Sequence, residues 1–380
     1  MDIRDLRKQI DSVDHQLCEL FKERMDIITK VAEYKHQNAL PVNNSLRERE
    51  VLANVSKQLG SELEVYGRTL YRTIFDLSKS YETKLMGVKT PLYETLSKLV
   101  NAKPVAFPKR ATVACQGCEG AYSQMAAEHL FEVPEIMFNN SFEGVFKAVD
   151  KGLCEYGILP IENSTAGSVN EIYDNLVKHN IHIVRSVRIK IDHSLLGLPN
   201  TKLEDIKTIY SHQQAISQCS KFLDSLKGVR IIPCENTAVA AKKVAMDNDP
   251  SQASLSSRIC AELYGLKTIV AGAQNQDNNY TRFICISKEP KIFPGADRTS
   301  IMMVIPNKAG TLFSVLSKFN AMGANLVKLE SRPIPNRDFE FVFYFDIEAS
   351  IYDDKFTALI CELEAIGEQF SYLGTYSELI

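Results

Sequence analysis

No continuous apolar run opens this chain of 380 residues; its first segment interleaves apolar and charged residues. Neither a signal peptide nor a transmembrane span is therefore expected. Charge of one sign is also lacking. Lys and Arg number 44 against 47 Asp and Glu, a net charge of -3. Nothing global draws the protein to nucleic acid or to an anionic membrane, so any cationic site must be local. Cysteine has no framework pattern: nine residues are scattered at 18, 115, 118, 154, 219, 234, 260, 285 and 361. An odd, unpatterned set fits a reducing compartment, and a cytoplasmic location is the expectation. Cys115 and Cys118 form a C-x-x-C, but no second pair or His follows at zinc-ligand spacing, so no metal is expected. The first 36 residues contain no Gly and no Pro, so nothing there breaks a helix.

What is present is ordinary for a soluble globular protein, with 45% hydrophobic and 24% charged residues. The length exceeds one core and predicts two to four domains. Ile3, Leu6, Ile10, Val13, Leu17, Leu20, Ile27 and Val31 recur at three- and four-residue steps. They predict one helix about 50 Å long, ended near Pro41. A second helix is expected from Leu46 to Leu59, closed by Gly60, and a third from Leu63 to Leu85. The long apolar stripe cannot be buried by two shorter helices, so a partner chain is expected.

From Val88 to Arg110, Pro91, Pro104 and Pro108 mark a linker around a short helical pattern. Strand-like "ATVACQG" and "EYGILPIE" then alternate with helical "SQMAAEHLF" and "SFEGVFKAVDKG", which predicts an α/β region to about Lys288. After a second linker, "EPKIFPGAD", the order of elements is βαββαβ, a ferredoxin-like α+β unit from roughly Arg298 onward.

Arg24 and Lys35 stand 11 residues apart, so about 20° separates them around the helix and they share a face. Arg7 lies about 100° off that face and could join such a site only from another helix, such as a partner's copy. Arg47, Glu48, Ser78 and Glu82 follow on the later helices. Several cations aimed into one bundle call for an anion with more than one carboxylate. The strings "LRKQIDSVDHQLCELFKERMDIITKVAEYK", "VNNSLREREVL" and "LYRTIFDLSKSYE" resemble the all-helical chorismate mutase family over residues 1 to about 86. The resemblance implies a domain-swapped helical dimer in which Arg7 comes from the neighbouring subunit. It implies cationic roles for Arg24, Lys35 and Arg47, and substrate contacts for Asn44, Glu48 and Ser78. Glu82 stands where many bacterial members carry Gln. The rearrangement is pericyclic and needs no nucleophile, metal or cofactor. The enzyme must hold a chair-like conformer and stabilise charge on the ether oxygen. Arg7 and Arg24 would clamp carboxylates; Lys35 and a protonated Glu82 would donate to the ether oxygen.

In the α/β region, "PIENSTAGSV" follows an apolar strand, where strand-end loops commonly build sites. "YSHQQAISQC" puts Ser211 and Gln218 around a helix start, and "NNYTRFICI" sets Thr281 and Arg282 at the opening of a buried strand. Each alone reads equally as a cap or a strand end. Together with "GCEGAYS" and "IDHSLLGLP" they resemble the prephenate dehydratase family along residues 111 to 288. One departure is "CQGCEGAYS", where many members have a Phe-Leu-Gly-Pro type stretch; Gly117 and Gly120 should still support the turn. The family fold is two α/β lobes with a cleft between them, the second lobe at roughly 190–267. Prephenate must lose carbon dioxide and its ring hydroxyl together, and hydroxide is a poor leaving group. By resemblance Thr281 is the polarised donor to it. Asn163, Ser164, Ser211 and Gln218 are substrate-binding candidates, with Arg282 and Phe283 of the same Thr-Arg-Phe motif.

The final βαββαβ unit resembles the ACT regulatory domain, through "GTLFSVL" and "LESRPIP". That implies L-phenylalanine as effector, held at an interface between two such domains by Gly310, Thr311, Leu312 and Phe313 with Glu330, Ser331, Arg332 and Pro333. Phe313 replaces the Val of a commoner Gly-Ala-Leu-Val version.

The expected layout is a mutase domain at 1–88, a linker at 89–110, a dehydratase domain at 111–290 and an ACT domain at 298–380. The whole resembles the bifunctional chorismate mutase–prephenate dehydratase family. Chorismate and prephenate would be the substrates, without cofactor, in a homodimer or higher homo-oligomer that binds neither nucleic acid nor membrane. Two alternatives stand beside it: a mutase-like region serving only as a dimerisation arm, and a non-catalytic small-molecule sensor. Phenylpyruvate formation from added chorismate separates the three.

Overall fold

The computed structural model describes residues 2–38, 40–42, 44–85, 90–334, 337 and 340–380. Residues 86–89, at the expected end of the mutase region, and Pro335 of "LESRPIP" lie outside them. Ile3–Gln37 is a single α-helix, as the absence of Gly and Pro predicts; Asp2 caps it by accepting from the Arg4 N–H. A second helical run, Ser45–Leu85, is interrupted at Gly60, whose φ of 69° and ψ of 174° are not helical. Two helices therefore meet at Gly60, as expected, and are the two arms of this run. Asn44 caps the first arm, its Oδ1 accepting from the Arg47 N–H at 3.1 Å. Pro91–Asn101 forms the short helix expected between the prolines.

The chain divides into two compact units. The first holds residues 1–97, 305–323 and 352–368; the second holds 98–304, 324–351 and 369–380. The expected C-terminal region is therefore shared. Its helices, Thr311–Ala321 and Asp354–Ile366, belong to the first unit and its strands to the second.

In the first unit, the second arm of the Ser45–Leu85 run meets those two helices through polar contacts. Ser314 Oγ donates to Asp76 Oδ2 at 2.8 Å, Ser80 donates to Glu362, and Lys318 pairs with the same carboxylate. The first helix is hardly covered: Ile3, Ile10, Val13, Leu17 and Leu20 all keep more than half of their surface exposed.

In the second unit, two sheets carry the expected two α/β lobes. The first sheet runs, in spatial order, Glu378–Leu379, His182–Lys190, Tyr280–Ser287, Tyr156–Asn163, Arg110–Gln116 and Val133–Asn139, with Gly167–Ser168 paired to Tyr156–Asn163. The second runs Lys267–Val270, Ser194–Gly197, Gln252–Ser256, Thr208–His212 and Arg230–Cys234. The strands of the second sheet lie within residues 194–270. Gly117 and Gly120, with φ of 108° and 87°, make the turn from Arg110–Gln116 into helix Tyr122–Leu130.

A third, antiparallel sheet is ordered Asn325–Pro333, Phe341–Glu348, Arg298–Val304, Gln369–Tyr376. This is the strand order of a βαββαβ ferredoxin-like chain. One apolar cluster joins it to the first lobe: Met302, Val304, Val342, Tyr344 and Leu373 pack with Ile172, Tyr173 and Leu176. Tyr173 and Tyr344 meet edge to face at 4.9 Å. The last strand, Glu378–Leu379, pairs in parallel with His182–Lys190 of the lobe, a placement the sequence pattern does not predict. No described helix is long and apolar enough to cross a membrane.

Candidate functional site

Strand register brings the dehydratase motifs together. Tyr280–Ser287 runs antiparallel to Tyr156–Asn163, with Thr281 opposite Asn163 and Arg282 opposite Glu162. Successive side chains on a strand point to opposite faces. Asn163 and Thr281 therefore share one face, and Glu162 and Arg282 the other.

On the first face, Asn163 is the hub. Its Oδ1 accepts from the backbone N–H groups of Thr165 at 3.1 Å and Ala166 at 2.9 Å. Backbone N–H can only donate, so the orientation of this amide is settled. Nδ2 then faces three acceptors: Thr281 Oγ1 at 2.9 Å, Asn279 Oδ1 at 2.8 Å and the Tyr280 carbonyl at 3.2 Å. Thr281 accepts from Asn163, and no described acceptor takes the proton of its hydroxyl. A hydroxyl that accepts a hydrogen bond becomes a better donor through its own O–H. Asn279 is buried, and its Nδ2 has no partner among the described residues.

The second lobe closes on this hub through Gln218, the last residue of the short helix Gln213–Gln218. Gln218 Nε2 donates to Thr165 Oγ1 at 2.9 Å and approaches Asn163 Oδ1 at 3.5 Å. A cavity of about 510 Å³ opens here, lined by Ser164, Thr165, Gln214, Ser217, Gln218, Gln274, Asn275, Gln276 and Asn279 together with Ala166. Every polar side chain in that lining is an uncharged amide or hydroxyl. Sequence reasoning selected Asn163, Ser164, Gln218 and Thr281 and missed Asn279, Gln274 and the buried His193. Asn279 and His193 stood inside quoted motifs, but a single sequence carries no sign that their side chains turn inward.

Three candidates are placed elsewhere. Ser211 is fully buried, and its hydroxyl donates to the Leu255 carbonyl at 2.7 Å, within the second sheet. Phe283 is buried in the apolar cluster with Val113, Ile158 and Val187. Arg282, on the opposite face from Thr281, meets Asp346 of the third sheet, a fully buried carboxylate. Asp346 Oδ1 also accepts from Ser300 Oγ at 3.0 Å and Tyr376 OH at 3.1 Å. Glu378 draws in Arg188 at 2.6 Å and Arg298 at 3.2 Å. Burial works against the charge of the Arg282 guanidinium, yet Tyr376, Asp346, Tyr344 and Glu378 together raise its pKa above the ordinary value. Residue parity and these partners give Arg282 a structural ion pair instead of a substrate contact.

Strand Asn325–Pro333 also reaches the first lobe. Lys328 Nζ bonds Glu162 Oε1 and Ser168 Oγ, both at 2.8 Å, and Ser168 donates to Glu330. Arg332 forks onto Asp174 at 3.0 and 3.1 Å. Two of the effector candidates thus contact the segment that follows Asn163. Gly310 has φ of 92° and opens helix Thr311–Ala321, and Phe313 is 59% exposed.

In the first unit, Arg24 donates to buried Ser78. Lys35 Nζ bonds buried Glu82 at 2.6 Å and the Val42 carbonyl at 2.8 Å. Burial lowers the Arg24 pKa, the largest effect on it. Glu48 pairs with Lys79 at 3.1 Å, and Arg47 turns outward to Glu50. Arg7 is exposed, and the seventeen residues to Arg24 place it about 26 Å away along the helix.

Among the described residues, no group of three or more His, Cys, Asp or Glu could hold a metal. Cys115 is buried and Cys118 partly so; burial raises the pKa of both thiols. Burial also lowers the pKa of His182, His193 and His212. The unfolded chain binds protons at these histidines from about pH 6.5 downward. Below that value it therefore holds more protons than the folded protein, and stability falls as pH falls. Melting temperature measured from pH 7 to pH 5 should decline, and His182→Gln should reduce the slope; a flat profile would contradict these burial effects.

Residues 6–83 match the chorismate mutase type II family and residues 113–291 match prephenate dehydratase. A bifunctional chorismate mutase/prephenate dehydratase of Enterobacter agglomerans is 31% identical over 98% of this chain and 95% of its own length. An Arabidopsis thaliana chloroplastic arogenate dehydratase/prephenate dehydratase is 35% identical, covering 78% of this chain and 81% of its own. The solved prephenate dehydratase of Arthrobacter aurescens, in complex with L-Phe, superposes with a TM-score of 0.65 at 25% identity, covering 70% of this chain and 89% of that one. The chain belongs to the bifunctional chorismate mutase/prephenate dehydratase family, enzymes that rearrange chorismate to prephenate and convert prephenate to phenylpyruvate.

Proposed function

We propose that Thr281 is the proton donor of the dehydratase step and that Asn163 prepares it. The observation that carries this is the settled orientation of the Asn163 amide, which makes Thr281 Oγ1 an acceptor and leaves its proton for a ligand. As carbon dioxide leaves the prephenate ring, the hydroxyl on the opposite carbon departs with its bonding electrons and takes up a proton as water. Thr281 supplies a directed donor at that oxygen. The orphan Nδ2 of Asn279 and the amides of Gln214, Gln274 and Gln276 supply neutral donors for the substrate's carboxylates and carbonyl. Ser164 and Gln218 line the same cavity and shape the place where the substrate binds.

The mutase works in a domain-swapped dimer. Arg24, Lys35, Ser78 and Glu82 gather on one chain, while Arg7 is too distant to join them and serves the neighbour's site. The exposed stripe of Ile3, Ile10, Val13, Leu17 and Leu20 is the surface that pairs. Asn44, Arg47 and Glu48 complete the candidate set. Glu82 accepts from Lys35 and so holds its ammonium in place; donation to the ether oxygen requires a proton on Glu82. Mixing Arg7→Ala with Arg24→Ala chains tests the swap. Each alone should lack mutase activity, and random re-pairing should restore about one quarter of the sites, since one site in each mixed dimer regains both arginines. No recovery after confirmed subunit exchange would exclude a shared site.

The C-terminal βαββαβ segment is an ACT domain, and L-phenylalanine is its effector, a reading supported by the L-Phe carried by the Arthrobacter aurescens relative. Gly310, Thr311, Leu312, Phe313, Glu330, Ser331, Arg332 and Pro333 are its candidate contacts. The domain layout is mutase to residue 88, linker to 110, dehydratase to 290 and ACT domain from 298. Feedback reaches the dehydratase through Lys328–Glu162, Glu330–Ser168 and Arg332–Asp174. Asp174→Ala should therefore leave basal dehydratase turnover within about twofold, as expected for an exposed-edge ion pair. It should raise the phenylalanine concentration needed for half inhibition several-fold. An unchanged inhibition curve would remove that link. The overall reading is tested by adding chorismate and following phenylpyruvate, with and without phenylalanine.

A further inference from the structure

His193 sits where the chain enters the second lobe, three residues past the end of strand His182–Lys190. It is 3% exposed. Its Nε2 lies 3.0 Å from Gln218 Oε1, and its Nδ1 is buried with no partner among the described residues. The ring stands edge to face against Tyr122, whose hydroxyl donates to the Asp192 carbonyl. The backbone is held on both sides: the His193 N–H donates to Gln274 Oε1 at 3.1 Å, and its carbonyl accepts from the Ala273 N–H at 2.8 Å. A surface or core-filling histidine does not need such a setting.

The direction of the bonds can be worked out from the fixed end. Asn163 Oδ1 is an acceptor because two backbone N–H groups point at it. Thr165 Oγ1 donates to the same oxygen at 2.7 Å. With its proton so used, Thr165 Oγ1 can only accept from Gln218, which therefore presents Nε2 at 2.9 Å. Gln218 Oε1 then faces His193, and His193 must donate from Nε2. The other tautomer would require Gln218 to turn over. Its carbonyl would then stand 3.5 Å from the Asn163 carbonyl oxygen with no proton between them. It would also leave an N–H at Nδ1 buried without an acceptor, which is costlier than a buried lone pair.

We propose that His193 is a positioning residue of the dehydratase: as the Nε2–H tautomer it sets which end of the Gln218 amide faces Thr165 and Asn163, and so holds the second lobe against the hub that prepares Thr281. The bonds run in one sense, from His193 to Gln218, to Thr165, to Asn163. From Asn163 the amide nitrogen continues to Thr281. His193 and Gln218 belong to the second lobe and the other members to the first, so the chain of donors is a latch across the cleft. Burial, the larger effect, lowers the His193 pKa, and it keeps the ring neutral with its Nδ1 lone pair free.

This inference rests on the dehydratase site proposed above, and its test separates the two. The donor-keeping variant is His193→Gln, whose Nε2 can reach the place of the imidazole Nε2; the donor-less variant of comparable bulk is His193→Leu. His193→Leu should lower kcat for prephenate at least tenfold, and His193→Gln should stay within about threefold of the parent, the range expected for positioning through one hydrogen bond. The mutase rate of the same preparations reports folding and should not change. Equal loss in both variants, or no loss in His193→Leu, would overturn the proposal. A second measurement needs no variant to be active. Nitrogen NMR of histidine-labelled parent protein should show the His193 ring protonated at Nε2 and bare at Nδ1, its signal assigned by its disappearance in His193→Gln. The reverse tautomer would overturn the latch even if Thr281→Ala confirmed the catalytic site.

Discussion

Replacing Thr281 by alanine should lower prephenate turnover a hundredfold or more, the range typical of a positioned proton donor. The substitution removes the hydroxyl proton that the Asn163 amide directs away from itself, and it removes little else. Thr281 is nearly enclosed at 8% exposure, so the cavity left is one hydroxyl and one methyl in size. The backbone bonds of strand Tyr280–Ser287 do not depend on it. The loss should therefore appear in kcat more than in KM, because the donor acts on the departing oxygen and not on the carboxylates that bind. Thr281→Ser should recover much of the rate, since it restores the hydroxyl beside Asn163 Nδ2. Chorismate rearrangement by the same protein should be unchanged, because the candidate mutase residues lie in the other compact unit. Prephenate turnover within a few-fold of the parent would end the assignment, whatever the mutase did.

Asp346→Ala should destabilise the second unit by about 3–5 kcal/mol, the cost of leaving one partner of a buried ion pair without the other. Asp346 is fully buried and Arg282 is 6% exposed, so water cannot take the place of the lost carboxylate. The Ser300 and Tyr376 hydroxyls lose their acceptor as well. Glu378, already shared with Arg188 and Arg298, lies 3.7 Å from Arg282 Nε and offers a poor substitute. Urea denaturation followed by tyrosine fluorescence measures the shift. A double variant, Arg282→Met with Asp346→Leu, should recover a large part of the stability, because apolar pairs of similar volume often replace buried ions without loss. A loss below about 1 kcal/mol for Asp346→Ala would place this pair with exposed ion pairs instead. Because Arg282 follows Thr281 in the strand, the same pair ties the third sheet to the catalytic strand, and dehydratase activity should fall with stability in the single variant.

Sequence alone determined the features that depend on local pattern. A stretch of 36 residues without Gly or Pro had no alternative to one long helix, and Gly60 marked the break in the next run. Alternating strands and helices, with glycines at 117 and 120, announced the α/β lobes and their first turn. The unpaired stripe of the first helix was also legible, because an apolar face of that length has to be covered. Asn163 and Thr281 were legible as residue types in motifs, but 118 residues separate them along the chain. Their meeting depends on strand register, which depends on which strands pair.

Tertiary structure decided the rest. Parity on a strand sends Thr281 to the side of Asn163 and Arg282 to the third sheet, and only the partners on each side reveal which face is which. Ser211 lost its place in the site because the neighbouring strand supplied the Leu255 carbonyl as acceptor. His193 and Asn279 gained theirs because burial stripped their polar atoms of water. Nor could the pattern foresee that Glu378–Leu379 would join the first lobe, or that Lys328, Glu330 and Arg332 would contact the segment around Asn163. Helix and strand follow from neighbours in sequence, whose spacing repeats every few residues. A site made of single hydrogen bonds between distant segments has no such repeat; it exists only once packing has chosen which faces meet.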